Sequence, residues 1–276
     1  AAVVLARYPG AEVNADLVEL LGDSSPIVQR RALEGMIRTS TQAPIEKLQP
    51  LLASDDRFVR FAARLVLERL EPSAWTAPLL TNTNPRVRIM ALISLNKLGL
   101  VASHADVARQ AMQATLDLLG SKLPRGDQLD VLRCLELTWI NAKPAAESGW
   151  AEKFAAPLLR GFPTRDRAID YELARLLAAV EVKGGIEKLV ASLERIGSTD
   201  SLDARADAIH YARCLVAVRN GWTPDLRQRY LAWFDTSKDW RGGHSYPGYI
   251  ANFLRDEVAQ LSEPELLALV RTADKL

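Results

Sequence analysis

The side chains best equipped to bind something in this sequence are its arginines. Arg30, Arg57, Arg60, Arg64, Arg86 and Arg88, with Arg31 beside the first, fall in three clusters that share a local pattern. A guanidinium donates in a planar fork that matches phosphate or carboxylate, so arginines stacked along one surface make an anion-binding stripe. Carboxylates alternate with them, at Asp23, Glu34, Asp55, Asp56 and Glu68. The rival expectation is therefore that the charges pair with one another or are solvated. A second unusual stretch is Trp240-Arg241-Gly242-Gly243-His244-Ser245-Tyr246-Pro247-Gly248-Tyr249. It breaks the helical pattern and sets aromatics, an arginine and a histidine beside glycines that permit tight turns. Trp240, Arg241, His244, Tyr246 and Tyr249 are its candidate contacts to a partner or ligand. Their alternative role is to anchor the loop on the last helices.

Bond-breaking chemistry finds less support. His104, His210 and His244 lie far apart, and the spacing pairs none of them with a carboxylate or cysteine as metal ligands. Cys134 and Cys214 sit inside helical patterns and are expected to be buried small hydrophobes. The sequence has no Gly-x-Ser-x-Gly, no phosphate loop and no dinucleotide fingerprint. We therefore expect no catalytic residue, no metal site and no cofactor. Residues converging from distant parts of the chain would leave no motif. The net charge of +1 over 276 residues gives no global field toward nucleic acid or anionic lipid. No apolar run is long enough to span a bilayer.

The elements that carry the arginines repeat. Leu20-Leu21, Leu51-Leu52 and Leu79-Leu80 each precede a short polar turn, a helix start, and a Val and Ala four apart: Val28 and Ala32, Val59 and Ala63, Val87 and Ala91. The valines are 31 and 28 residues apart. Units of this length, each helix–turn–helix, predict an all-α solenoid, a right-handed α-α superhelix of six or seven helix pairs. Pro50 and Pro78 share one column just before the leucine pair, inside the first helix of each unit. Residues 1–10 read as the second helix of an incomplete repeat closed by Pro9-Gly10. Asn14 is the expected cap of the next helix and Gly22 its left-handed terminator. Repeats are regular over 1–100 and degenerate over 101–276, where helices are still expected, one of them capped by Thr164. Ser262 and Glu265 have capping-box spacing. We read one solenoid over 1–276.

The helix proline, leucine pair, acidic or Asn turn and Val-Arg-x-x-Ala run resemble HEAT repeats, over roughly residues 14–98. Arg60 and Arg88 occupy the arginine position of that pattern, and Gln29 departs from it. The resemblance implies an armadillo-like scaffold more than any one function. Some DNA-repair glycosylases are built from HEAT-like repeats, which gives the arginine stripe a nucleic-acid reading; the near-neutral charge argues against it. The run from Tyr230 through Leu261 resembles the end of the helical array in large bacterial multidomain proteins described as membrane-bound dehydrogenases. There the array precedes a c-type haem domain. That resemblance implies a linker in an exported dehydrogenase–cytochrome protein, although this sequence contains no Cys-x-x-Cys-His.

Taken together, the expectation is a non-catalytic scaffold or protein-interaction module. The start at Ala-Ala-Val-Val, mid-helix and without Met, reads as a segment of a larger multidomain protein. Its partner is expected to be another protein or a neighbouring domain rather than nucleic acid, with no membrane span in this segment. The compartment is left open: exported or periplasmic under the second resemblance, otherwise cytoplasmic.

Overall fold

The computed structural model describes residues 2–5, 7–8, 10–142, 149–197, 201–237, 240 and 244–267. Every regular element among them is a helix. The chain divides into two compact units, Ala1–Ser148 and Gly149–Leu276.

Unit 1 contains α1 (Ala2–Leu5), α2 (Ala11–Glu19) running into a 3-10 turn (Leu20–Gly22), α3 (Pro26–Thr39), α4 (Ile45–Leu52), α5 (Arg57–Leu67), α6 (Pro72–Leu80), α7 (Pro85–Lys97), α8 (Leu100–Ser103), α9 (Ala105–Leu119) and α10 (Arg125–Asn141). The second helices α3, α5, α7 and α10 pack in series, each with its own first helix alongside. α1 packs on α3, the place a preceding second helix would take. The Leu-Leu and Val/Ala columns build the interior: Leu51, Leu52, Leu79 and Leu80 are buried, and Val59, Ala63, Leu67, Ala91 and Leu95 are fully so. Pro26 and Pro85 open their helices, where the missing N–H costs nothing. The Asp56 carboxylate accepts from the N–H of Phe58 (2.7 Å) and Val59 (3.2 Å), and the Asn84 carbonyl from that of Arg86 (2.9 Å). Pro50 and Pro78 lie within α4 and α6 as the column predicts.

Two local expectations fail. Helix α2 starts at Ala11, so Asn14 is interior, where its side-chain oxygen accepts from the Thr41 hydroxyl at 2.6 Å and ties α2 to the turn after α3. Gly22 takes no left-handed conformation, because α2 tightens into a 3-10 turn instead; in this region it is Ser40, ending α3, that has φ 55°.

Between α7 and α10 the interior is polar in one place. Asn96 donates to the Thr138 hydroxyl (3.0 Å) and to the Leu92 carbonyl (2.9 Å), and Asn141 donates to the Asn96 carbonyl (2.9 Å).

In unit 2 the helices are α11 (Trp150–Gly161), α12 (Arg167–Ala179), α13 (Gly185–Gly197), α14 (Leu202–Val216), α15 (Pro224–Ser237) and α16 (Tyr246–Val258), with a helical turn at 263–267. They also form pairs. First helix α13 packs on α15, while α12 packs on α14 and α14 on α16. A third copy of the proline–leucine signature, after Pro50 and Pro78, stands at Pro157-Leu158-Leu159, with Pro157 inside α11 and Leu158 fully buried. From the second leucine to the first core residue of the next helix is ten residues here (Leu159 to Ile169), against seven in Leu52 to Val59. The longer turn moves the cap: Asp166, not Thr164, accepts from the N–H of Ala168 (3.0 Å) and Ile169 (3.3 Å). The Thr164 hydroxyl instead donates to Asp170 and receives the Asp166 N–H. Lys188 on α13 closes the other end of that turn, its ammonium donating to the carbonyls of Leu159 (2.5 Å) and Phe162 (2.6 Å). Half of the capping box forms: Glu265 accepts from the Ser262 N–H at 2.8 Å, while the Ser262 hydroxyl donates to the same carboxylate at 2.6 Å.

The last pair of unit 2 encloses an ion pair between Arg227 on α15 and Glu257 on α16, the carboxylate wholly buried. The Trp222 ring lies 4.2 Å from the guanidinium and Glu265 approaches it at 3.7 Å. Burial pushes the Glu257 carboxyl above the ordinary glutamate range despite Arg227.

Two predictions follow from this packing. Val59→Asp places an unpaired charge in a fully buried column, and its cost should exceed about 4 kcal/mol. Unchanged thermal unfolding of that variant contradicts the register. Arg227→Met strands the Glu257 carboxylate and should cost about 3–5 kcal/mol at neutral pH. A carboxyl whose folded pKa is raised binds its proton more tightly folded than unfolded, so stability is gained as pH falls through the raised value. The deficit of Arg227→Met should therefore shrink between pH 7 and pH 5 in urea denaturation.

Candidate functional site

The six arginines come to two different ends. Arg86 is an inter-repeat tie: it pairs with Asp55 in the turn before α5 and, at 3.1 Å, with Asp127 on α10. Arg88 donates to the Ala114 carbonyl (3.0 Å) and sits 3.4 Å from Asp117. Arg60 donates to the carbonyls of Ser54 (2.5 Å) and Asp55 (3.0 Å), bracing the turn that precedes its own helix. Gln29, at the same column, does the same work: its amide donates to the Asp23 carbonyl at 2.8 Å. The departure from the arginine pattern thus preserves the bond.

Arg30 and Arg57 face outward beside an aromatic ring, and Arg64, mostly covered, lies against another. The guanidiniums of Arg30 and Arg57 lie 5.1 and 4.7 Å from the Phe58 ring centroid, and that of Arg64 lies 5.3 Å from the Phe61 ring. Arg30 and Arg31 share Glu34, which holds that carboxyl below its ordinary range; Arg64 pairs with Glu68. Of the carboxylates expected to neutralise the arginines, Asp56 serves as a helix cap and Asp23 holds the Ser25 N–H at 2.7 Å.

The exposed apolar residues on this face were not foreseen. Ile27 is 72%, Phe58 47% and Phe61 53% exposed on well-formed helices. The signal was present in phase: Phe58 and Phe61 are three apart and lie off the stripe of Val59, Ala62, Ala63 and Val66, between arginines at 57, 60 and 64.

Among the described residues of the stretch 240–249, Trp240 and Tyr246 are anchored. The second half of that stretch, from Tyr246, is the first turn of α16 rather than loop. Trp240 lies edge-on to Trp233 at 6.0 Å with Arg205 beside it, and its backbone N–H donates to the Ser237 carbonyl, which also receives the Tyr246 hydroxyl at 3.2 Å. Tyr249 is half exposed, 4.6 Å from Phe253, and His244 is exposed. Arg241 lies outside the described residues.

One chemical juxtaposition escaped the sequence reading. His210 and Cys214 are one helical turn apart on α14, and Nε2 lies 3.7 Å from Sγ. It does not make a nucleophile. The same Nε2 is 3.0 Å from the Tyr171 carbonyl and must carry the proton to bond it, so it has no lone pair for the thiol. Burial lowers the His210 pKa and pushes the Cys214 thiol up to about 12. The ring stacks on Tyr171 at 3.9 Å, a packing role. Among the described residues no group of three or more His, Cys, Asp or Glu is placed to hold a metal. No helix among them is long and apolar enough to cross a membrane.

A family model described as HEAT repeats matches residues 1–68, which spans α1 through α5. No curated protein matches the chain. The chain is therefore similar to HEAT repeats over its first quarter, and its all-helical pairs are of the HEAT-like solenoid class. The match does not reach the run from Tyr230 to Leu261.

Arg86 generates a prediction of its own. Arg86→Ala severs α7 from Asp127 and should cost on the order of 1 kcal/mol, since the pair is partly exposed. Asp55 is 96% exposed, so Asp55→Ala should leave the unfolding midpoint unmoved. A double-mutant cycle checks this, coupling being expected for Arg86 with Asp127 and absent for Arg86 with Asp55.

Proposed function

We propose that this chain is a non-catalytic protein-interaction scaffold and that its working surface is the outward face of the second helices in unit 1. The observation that carries this reading is the state of the arginines. Arg60, Arg86 and Arg88 are spent on turn carbonyls and inter-repeat carboxylates, and Arg64 on Glu68, while Ile27, Phe58 and Phe61 stand open among them. A nucleic-acid groove needs unneutralised charge along a phosphate track. A protein interface needs aromatic and arginine anchors on a rigid base, and HEAT repeats commonly serve as protein-interaction scaffolds.

The test has two arms. Fluorescence anisotropy with labelled duplex DNA at low and moderate salt should show no salt-sensitive binding. The immobilised chain should retain a protein from an extract of its source cells, and that association should survive nuclease treatment. Retention that depends on nucleic acid, or a chain that retains nothing, overturns the reading.

A further inference from the structure

Resting on that reading, we propose that the open face formed by Ile27 on α3 and Phe58 and Phe61 on α5 receives an amphipathic helix of a partner protein whose apolar stripe is edged by carboxylates.

The face is continuous and framed. Ile27 is one turn before Arg30, Arg30 lies over Phe58, Phe61 is one turn after Phe58, and Arg64 covers Phe61 from one turn further on. Guanidiniums held over rings, 4.7–5.3 Å from the centroids, have already lost part of their side-chain freedom, so less is lost when they take a carboxylate. No carboxylate pairs with Arg57 among the described residues, and Arg30 and Arg31 share one, so the rim carries surplus positive charge.

The next repeat shows how such a face is covered. Counting from the repeated valine, Phe61 on α5 corresponds to Ile89 on α7. Ile89 is only 1% exposed, and α10 packs along that helix with the Cys134 thiol against the Ile89 carbonyl at 3.8 Å. α10 is an amphipathic helix: it buries Val131, Leu132, Cys134 and Leu135, and it offers Asp127 from its first turn to Arg86. Arg86 is itself the column mate of Phe58. This is the serial stacking of one second helix on the next, and it shows that these columns accept an apolar stripe with a carboxylate on an arginine; the stacking of α5 on α3 and of α7 on α5 leaves Ile27, Phe58 and Phe61 exposed. At α3 and α5 the corresponding positions stand uncovered.

A nucleic-acid strand fits this face less well. Most of the surrounding arginines already have carboxylate or carbonyl partners, and three exposed apolar side chains at the centre ask for an apolar stripe rather than a phosphate backbone.

Fluorescence anisotropy tests this with three labelled probes: a helical peptide of about 18 residues with a Leu/Ile stripe flanked by Glu, the same stripe flanked by Lys, and an oligothymidine. The Glu-flanked peptide should bind at least roughly tenfold tighter than the Lys-flanked one, and the preference should shrink in about 0.5 M salt. Phe58→Ser/Phe61→Ser should abolish its binding while circular dichroism shows the helices intact, and Arg57→Glu should reduce the preference for Glu over Lys. Equal binding of the two peptides, no binding of the Glu-flanked peptide, or binding that survives the double variant overturns the proposal. So does oligothymidine displacing the Glu-flanked peptide. A partner protein retained equally by wild type and the double variant overturns this face and leaves the scaffold reading standing.

Discussion

A second helix in unit 1 must be apolar toward its own first helix and toward the second helices beside it. The alanine column is where these demands are met. Ala32, Ala63 and Ala91 are all fully buried, and a side chain that ends at its β-carbon lets neighbouring backbones approach closely. A larger residue there would force the helices apart or into strained rotamers, typically at about 1–3 kcal/mol. With so much of each helix committed inward, every charged or outward-facing residue is confined to the strip that remains. Arginines and carboxylates from successive repeats share that strip, and this proximity is why Arg86 finds partners 31 residues before it and 41 after it.

What could be read from the chain follows the same division. The Leu-Leu and Val/Ala columns are periodic because packing demands it, and they indicate the helix pairs directly. Caps are less legible, since several polar residues near a helix start compete for one position: Asn14 and Thr164 both had the right chemistry, and Gly10 and Asp166 had the right place. The copy at Pro157-Leu158-Leu159 was hidden by a turn three residues longer than its counterparts.

The candidate surface was half visible. Arginine clusters are plain in sequence, but which arginine is already engaged depends on carboxylates and carbonyls from other repeats. No local spacing reveals that Asp127 will meet Arg86 or that Ala114 will meet Arg88. Phe58 and Phe61 pass for core residues on composition alone, and only their angular phase on α5 separates them from Val59 and Ala62. Trp240 errs the other way: it sits in a stretch that looks exposed and functional, yet its ring packs on Trp233.

Lys188 carries a consequence for how unit 2 comes together. The carbonyls of Leu159 and Phe162, left without intrahelical donors where α11 ends, are satisfied by an ammonium that arrives 29 and 26 residues later in the chain. During synthesis α11 and α12 are therefore complete in sequence before the group that closes their turn has been made. The turn of this pair is closed only once the following helix docks, so this one module is finished by its successor.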